Sequence, residues 1–135
     1  MSMMETRRPG AEVMVSIEGC MKESAHAVFS LLRACFPSDR EPGDVPQYAP
    51  EGRSMVWTAD FDTSDGPRAP AEPLPLEGTV TVTLLGGCHA VDLVRDQLVT
   101  AFALREESSA SGDQEKEVQL RLEDIRTAAH RAHAL

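Results

Sequence analysis

Two stretches of the sequence repeat one pattern, in which an alternating apolar segment is followed by glycine, cysteine and an amphipathic helix. The first, VMVSIEG followed by CMKESAHAVFSLLRACF, covers residues 13–36, and the second, VTVTLLGG followed by CHAVDLVRDQLVTAF, covers residues 80–102. Alternation of apolar and other residues is typical of a half-buried strand, and apolar residues three and four positions apart are typical of one face of a helix. The repeat therefore predicts two strand–helix units in one chain.

The segments between and after these units add two further strands and several loops. The proline-rich stretches 37–53 and 63–78 predict long irregular connections, because proline removes a backbone donor and fixes its own backbone angle. The serine-rich acidic stretch 105–117 predicts a mobile loop. The expected elements are strands at 12–18, 55–61, 79–84 and 118–122, helices at 20–36 and 88–102, and a short tail helix at 124–135.

This βαββαβ order is the order of a ferredoxin-like fold. Right-handed crossovers would place the first and third strands side by side and parallel, with both helices on one face of the sheet. We therefore expect an α+β, ferredoxin-like sandwich with a four-stranded, mostly antiparallel sheet of order 4132, long loops and a short C-terminal helix. The expected organisation is a flexible arm at 1–11, one domain at 12–123 and the tail helix at 124–135.

Each predicted strand has one strictly apolar side, which we expect to meet the helices. The other side is semi-polar, and nothing in the sequence obviously covers it. The apolar side consists of Val13, Val15, Ile17, Val80, Val82, Leu84, Val118, Leu120 and Leu122, and the semi-polar side of Met14, Ser16, Val56, Thr58, Asp60, Thr79, Thr81, Thr83, Gln119 and Arg121.

The charge balance argues against nucleic acid as a partner. The chain has 13 Lys and Arg against 22 Asp and Glu, a formal charge of -9, and no segregated basic patch. A polyanion is repelled by such a surface. An RNA-recognition sheet is disfavoured further, because the open positions of the first and third strands lack the aromatic residues on which bases stack.

The composition also indicates where the protein acts. No apolar run is long enough for a membrane span, and the start, MSMMETRRPG, lacks the apolar stretch of a signal peptide, so we expect a cytoplasmic protein that does not associate with a membrane. Eleven arginines against two lysines, with no asparagine, resemble the codon bias of a GC-rich bacterial genome such as that of an actinobacterium. In the cytoplasm we expect Cys20, Cys35 and Cys88 to be reduced thiols.

Parallel central strands would bring the two glycine–cysteine turns together at the starts of both helices. One interpretation is that the cysteines are small apolar fillers of a duplicated unit. Another is anion or small-ligand binding by free backbone N–H groups at the helix starts, and a third is a thiol and imidazole metal or redox site. The candidate ligand- or anion-binding residues are Gly19, Cys20, Gly86, Gly87, Cys88 and His89.

The stretch VSIEGCMKESAHAVFSLL resembles the metal-binding loop of heavy-metal-associated domains over about one strand–helix unit. That family binds its metal with a CxxC pair. Here Cys20 is followed by Met21, Lys22 and Glu23, so the pair is missing and no metal ligands are carried over. We expect no metal site and no cofactor.

The sequence favours a noncatalytic protein-interaction or regulatory module that dimerises or binds a larger partner protein. No acid, base or nucleophile lies on the apolar side of the sheet, and the semi-polar side has no evident cover. One alternative is a small enzyme or ligand-binding protein, because the architecture resembles dimeric α/β-barrel proteins, whose pocket lies between helices and sheet. Another is an acidic inhibitor of a basic partner.

Overall fold

The computed structural model describes residues 11–18, 22–38, 56–68, 71–76 and 78–126. These residues form an α+β structure with a five-stranded sheet and two helices. The elements are β1 (Glu12–Glu18), α1 (Lys22–Cys35), β2 (Val56–Asp62), β3 (Val80–Gly87), α2 (Cys88–Ala101), β4 (Ala103–Ser111) and β5 (Glu115–Glu123).

The strand order of the sheet is β2-β1-β3-β5-β4, and every neighbouring pair is antiparallel. The predicted four-stranded ferredoxin-like sheet of order 4132 is therefore wrong. β1 and β3 are neighbours as expected, but they run in opposite directions: Glu18 lies opposite Thr81, and Val13 lies opposite Gly86.

The direction of β2 and β3 depends on the connections that precede them. After α1, Ser38 forms a bridge to Phe61 at the end of the sheet where β1 begins, whereas β2 starts with Val56 opposite Glu18. The chain therefore returns along the whole strand length before β2 and again before β3. An extended chain covers about 3.3 Å per residue, so both proline-rich connections are long enough for this return.

The acidic stretch 105–117, which we predicted to be a mobile loop, belongs to a β-hairpin instead. It contains most of β4, the turn and the start of β5. The N–H of Gly112 closes the turn by donating to the carbonyl oxygen of Glu115 at 2.8 Å. The predicted fourth strand at 118–122 is thus β5, which lies between β3 and β4.

The hydrophobic core lies between the sheet and the helices, and the expected apolar side of the strands is confirmed. All nine predicted inward residues have at most 1% of their surface exposed. Phe29 of α1 stacks on Phe61 of β2 with ring centroids 6.4 Å apart. Burying a large apolar side chain contributes about 1.5–3 kcal/mol, so this layer supplies most of the stabilisation of the fold.

The strand register relates the two repeat units by an approximate two-fold rotation. The axis passes through the Ser16–Thr83 pair in the middle of the β1–β3 ladder. β2 pairs with the edge of β1 that faces away from β3, and β5 pairs in the same way with the edge of β3 that faces away from β1. The rotation exchanges the pair Val15–Leu84 with Ile17–Val82, and the pair Val13–Phe61 with Val80–Leu122.

The predicted arm and tail are only partly described. Of the arm, Ala11 is placed, and its carbonyl oxygen accepts hydrogen bonds from the N–H and the hydroxyl of Thr63 at 2.9 and 2.7 Å. Of the tail helix, residues 125–126 are helical, and residues 127–135 lie outside the described part of the chain. The domain boundaries remain a prediction. Neither α1 nor α2 is long and apolar enough to cross a membrane.

Candidate functional site

The predicted glycine–cysteine site depended on parallel central strands, and that premise is wrong. β1 ends at Glu18 opposite Thr81, whereas Gly86 lies at the other end of β3. The chain therefore leaves β1 at the end of the sheet remote from the start of α2. Gly19 and Cys20 themselves lie outside the described residues. Ligand or anion binding by these two residues and by Gly86, Gly87, Cys88 and His89 remains a prediction.

The structure gives Gly86 a packing role in the sheet. A Cβ added to Gly86 would lie 2.5 Å from the carbonyl oxygen of Glu12 and 3.2 Å from the Cα of Val13. Only glycine permits this close approach of β3 to β1. Gly87 precedes α2 in an extended conformation without a side-chain cap, and the N–H of Cys88 donates to the carbonyl oxygen of Gln114 at 3.3 Å.

Two ion pairs join α2 to the β4–β5 hairpin on the helix-covered side. Arg95 donates two hydrogen bonds to Glu107, of 2.6 and 2.8 Å. The Nζ of Lys116 lies 2.6 Å from a carboxylate oxygen of Asp92. Hydrogen bonding lowers the pKa of Glu107, and the corresponding contacts raise the pKa of Arg95 and of Lys116. These pairs stabilise the hairpin against the helix.

An enzyme of the α/β-barrel type would need a pocket between the helices and the sheet. Among the described residues, the cavity with the most apolar lining holds about 340 Å³ and lies outside α1, against residues 71–74. Its lining contains none of the nine inward strand residues, which fill the space between the two layers. The lining consists of Ser30, Leu31, Ala34, Cys35, Ala71, Glu72 and Leu74.

The other face of the sheet, which we call the open face, carries exposed apolar residues. Met14 of β1 and Leu85 of β3 lie directly opposite each other in the ladder, with 41% and 40% of their surface exposed. Val56 of β2 is 53% exposed. Because both helices pack on the opposite side, no described helix covers this apolar pair.

Short polar side chains lie beside the apolar pair. Thr58, Ser16, Thr83 and Gln119 form one row across four strands. Short side chains project little from the sheet, so another protein surface can approach this row closely. These four residues were predicted to belong to one uncovered face, and the structure confirms that they share one face.

Carboxylates surround the centre of the open face. They alternate with inward residues along their strands, and one of them, Glu106, forms an ion pair of 3.1 Å with Arg121. Of these carboxylates only Asp60 was predicted on this face, and Leu85 was not predicted there. The strand alternation of Thr81 and Thr83, continued to residue 85, indicates the leucine. The carboxylates are Glu12, Glu18, Asp60, Asp62, Glu106, Glu115, Glu117 and Glu123, the last of which is buried and pairs with Arg105 at 3.2 Å.

The described residues contain no group of three His, Cys, Asp or Glu side chains that could hold a metal ion. The open face, with exposed Met14 and Leu85, is therefore taken as the candidate site of the described structure. No protein-family model, curated protein or solved structure matches the chain.

Proposed function

We propose that the protein is a noncatalytic protein-interaction module of the bacterial cytoplasm that binds its partner through the open face. The observation that carries this proposal is the pair formed by Met14 and Leu85, which are adjacent and both about two-fifths exposed. Contiguous exposed apolar side chains with a polar rim are typical of interaction sites.

The shape of the open face supports the same function. It is built from neighbouring strands and carries short side chains such as Ser16 and Thr83 next to the apolar pair. A helix or a second sheet packs on such a surface at about 10 Å. Partner binding would remove the remaining exposed surface of Met14 and Leu85 from water, which is favourable by about 25 cal/mol per Å² of apolar area.

The alternative of a small α/β-barrel enzyme has less support. Its pocket would lie between the helices and the sheet, where inward residues such as Val15, Val82 and Leu120 are fully buried. The cavity of about 340 Å³ described above lies on the outer side of α1 and is lined by none of them.

The test uses two leucines with matched exposure on opposite sides of the sheet. Leu85 is 40% exposed on the open face, and Leu104 is 37% exposed beside the inward residue Leu122. Immobilised wild-type protein and the variants Leu85→Ser and Leu104→Ser are each incubated with cell extract, and the retained proteins are identified by mass spectrometry.

We expect at least one protein to bind wild type and Leu104→Ser and to be lost from Leu85→Ser. Binding of that purified protein is then measured by calorimetry, with an expected loss of about tenfold in affinity for Leu85→Ser, which corresponds to about 1.4 kcal/mol. Equal binding by both variants would overturn the assignment to the open face, and a chain that retains no protein would overturn the interaction function.

A further inference from the structure

Most charged side chains among the described residues of the open face are carboxylates. Its described strand residues include eight carboxylates and two arginines, of which Arg105 pairs with Glu123 and Arg121 pairs with Glu106. The helix-covered side is mixed, since Arg95 and Lys116 balance Glu107 and Asp92 there. The negative charge of the described residues is therefore not spread evenly between the two sides of the sheet.

This charge distribution decides between classes of partner. A second copy placed face to face would bring two acidic rims together, and like charges across an interface oppose association. A nucleic acid would meet the same repulsion. A positively charged protein surface would be attracted by the same carboxylates, so charge complementarity favours a basic partner.

The arrangement of charge around the apolar pair matches the shape of basic side chains. Asp60, Met14, Leu85 and Glu117 follow one another in a single row across four strands. Lysine and arginine have apolar stems and charged heads. Their stems can lie over Met14 and Leu85 while their heads reach the carboxylates at either end of the row, and a guanidinium can donate two hydrogen bonds to one carboxylate.

We infer that the open face binds a protein segment rich in arginine and lysine. This inference rests on the proposed interaction function and names the chemistry of its partner. The apolar pair holds the stems of the basic residues and the surrounding carboxylates hold their charges, so both parts of the surface contribute to one site.

The test is a titration of the full-length protein with a synthetic amphipathic peptide of lysine, arginine and leucine. A paired-charge variant, Glu18→Lys with Glu117→Lys, reverses two carboxylates of the open face. A control variant, Glu72→Lys with Asp96→Lys, changes the net charge by the same amount at two exposed positions outside that face. Amide chemical shifts locate the peptide, and calorimetry gives the dissociation constant.

We expect the shifts to concentrate in β1, β3 and β5, at residues such as Ser16, Thr83 and Gln119. The open-face variant should raise the dissociation constant by about tenfold or more, equivalent to about 1.4 kcal/mol, and the control variant by less than about twofold. Equal weakening by both variants would show attraction to net charge alone and would overturn the inference, as would peptide shifts on the helix-covered side.

Two further outcomes separate this inference from the proposed function. A partner from cell extract that requires Leu85 but tolerates Glu18→Lys with Glu117→Lys would overturn the basic chemistry and leave the interaction function in place. If the wild type sediments as a dimer and the Leu85→Ser variant as a monomer, a second copy occupies the open face. That result would also overturn the inference.

Discussion

Arg95 of α2 and Glu107 of β4 form an ion pair with two hydrogen bonds, of 2.6 and 2.8 Å, on the helix-covered side of the sheet. Both side chains are 29% exposed. The contact holds an otherwise exposed edge strand against the helix. β4 has almost no buried residue of its own, so this pair and the ladder to β5 keep it in place.

Removing the charge of Glu107 should loosen this contact. We expect Glu107→Gln to lower the free energy of unfolding by about 0.5–1 kcal/mol, and the control Glu106→Gln, in a more exposed pair with Arg121, by less than about 0.5 kcal/mol. Urea denaturation at pH 7 measures both. Equal effects of the two variants would contradict a special role for the Arg95–Glu107 contact.

The Arg95–Glu107 contact also predicts a pH dependence. Hydrogen bonding to Arg95 lowers the pKa of Glu107 in the folded protein. Its contribution to stability is therefore complete above the unfolded pKa of glutamate, about 4.3, and is lost as the pH falls through the folded value. The stability difference between wild type and Glu107→Gln should shrink towards pH 3, and a constant difference from pH 7 to pH 3 would refute this.

A methyl group at Gly86 should strain the pairing of β1 with β3 at the end of their ladder. In Gly86→Ala the new Cβ would lie 2.5 Å from the Glu12 carbonyl oxygen, so β1 and β3 must separate locally. We expect a loss of about 1–3 kcal/mol in the free energy of unfolding. In the control Gly112→Ala, the nearest atom would be 3.8 Å away, and the expected change is within about 0.5 kcal/mol. Thermal and urea unfolding would measure the difference, which should be absent if β1 and β3 are not close neighbours at this point.

Asp124 links the connection before β3 to the end of β5. Its buried carboxylate accepts hydrogen bonds from the N–H of Leu76 at 3.1 Å and of Arg126 at 2.8 Å. Burial raises the pKa of Asp124, but the hydrogen bonds from Arg126 and Leu76 outweigh this effect and hold the pKa below its ordinary value.

The variant Asp124→Ala leaves the Leu76 N–H without this acceptor. We expect a loss of about 1–3 kcal/mol in stability and faster hydrogen exchange at the Leu76 amide, whereas Asp113→Ala in the exposed hairpin turn should change neither. Unchanged exchange at Leu76 would rule out the link. The contribution of Asp124 should be present above the ordinary pKa of aspartate and be lost as the pH falls through its folded value.

The thiols should differ in reactivity because they differ in burial. Cys35 is fully buried, its Sγ lies 3.8 Å from the Oε1 of Gln97, and burial raises its pKa, an effect that Arg68 partly offsets. Cys88 at the start of α2 is only partly buried. We expect iodoacetamide at pH 8 to modify Cys88 in the folded protein well before Cys35, and both at similar rates in urea, as measured by peptide mass spectrometry. Equal rates in the folded protein would contradict the burial of Cys35.

Local elements could be predicted from the sequence because their periodicity is local. The predicted strand at 12–18 has the bounds of β1, and the apolar stripe of α1 at Val28, Phe29 and Leu32 is buried. The open face could be predicted too, because the side chains of a strand alternate between two faces. The predicted open face lacked one member of the apolar pair, Leu85. The reason is that Gly86 and Gly87 were interpreted as a turn and the predicted strand ended at residue 84.

The direction of β3 and the existence of β4 could not be predicted from these patterns. The alternating apolar pattern of a strand is the same whichever way the strand runs. Connections as long as 37–53 and 63–78 permit both parallel and antiparallel pairing. β4, with the sequence ALREESSAS, has no apolar alternation because both of its sides are largely exposed. The signal that was available is the short turn around Gly112, which is typical of a hairpin between two strands.

The approximate two-fold relation has a consequence for how the chain is held together. The described chain has two halves: the one up to residue 68 contributes two strands and α1, and the one from residue 71 contributes three strands and α2. Pairing of β1 with β3 and contacts of α2 with α1 and β1 join them. The molecule is thus built like a dimer whose subunits share one polypeptide. Cleavage between these halves should leave two fragments that recombine when mixed, each supplying the edge that the other lacks.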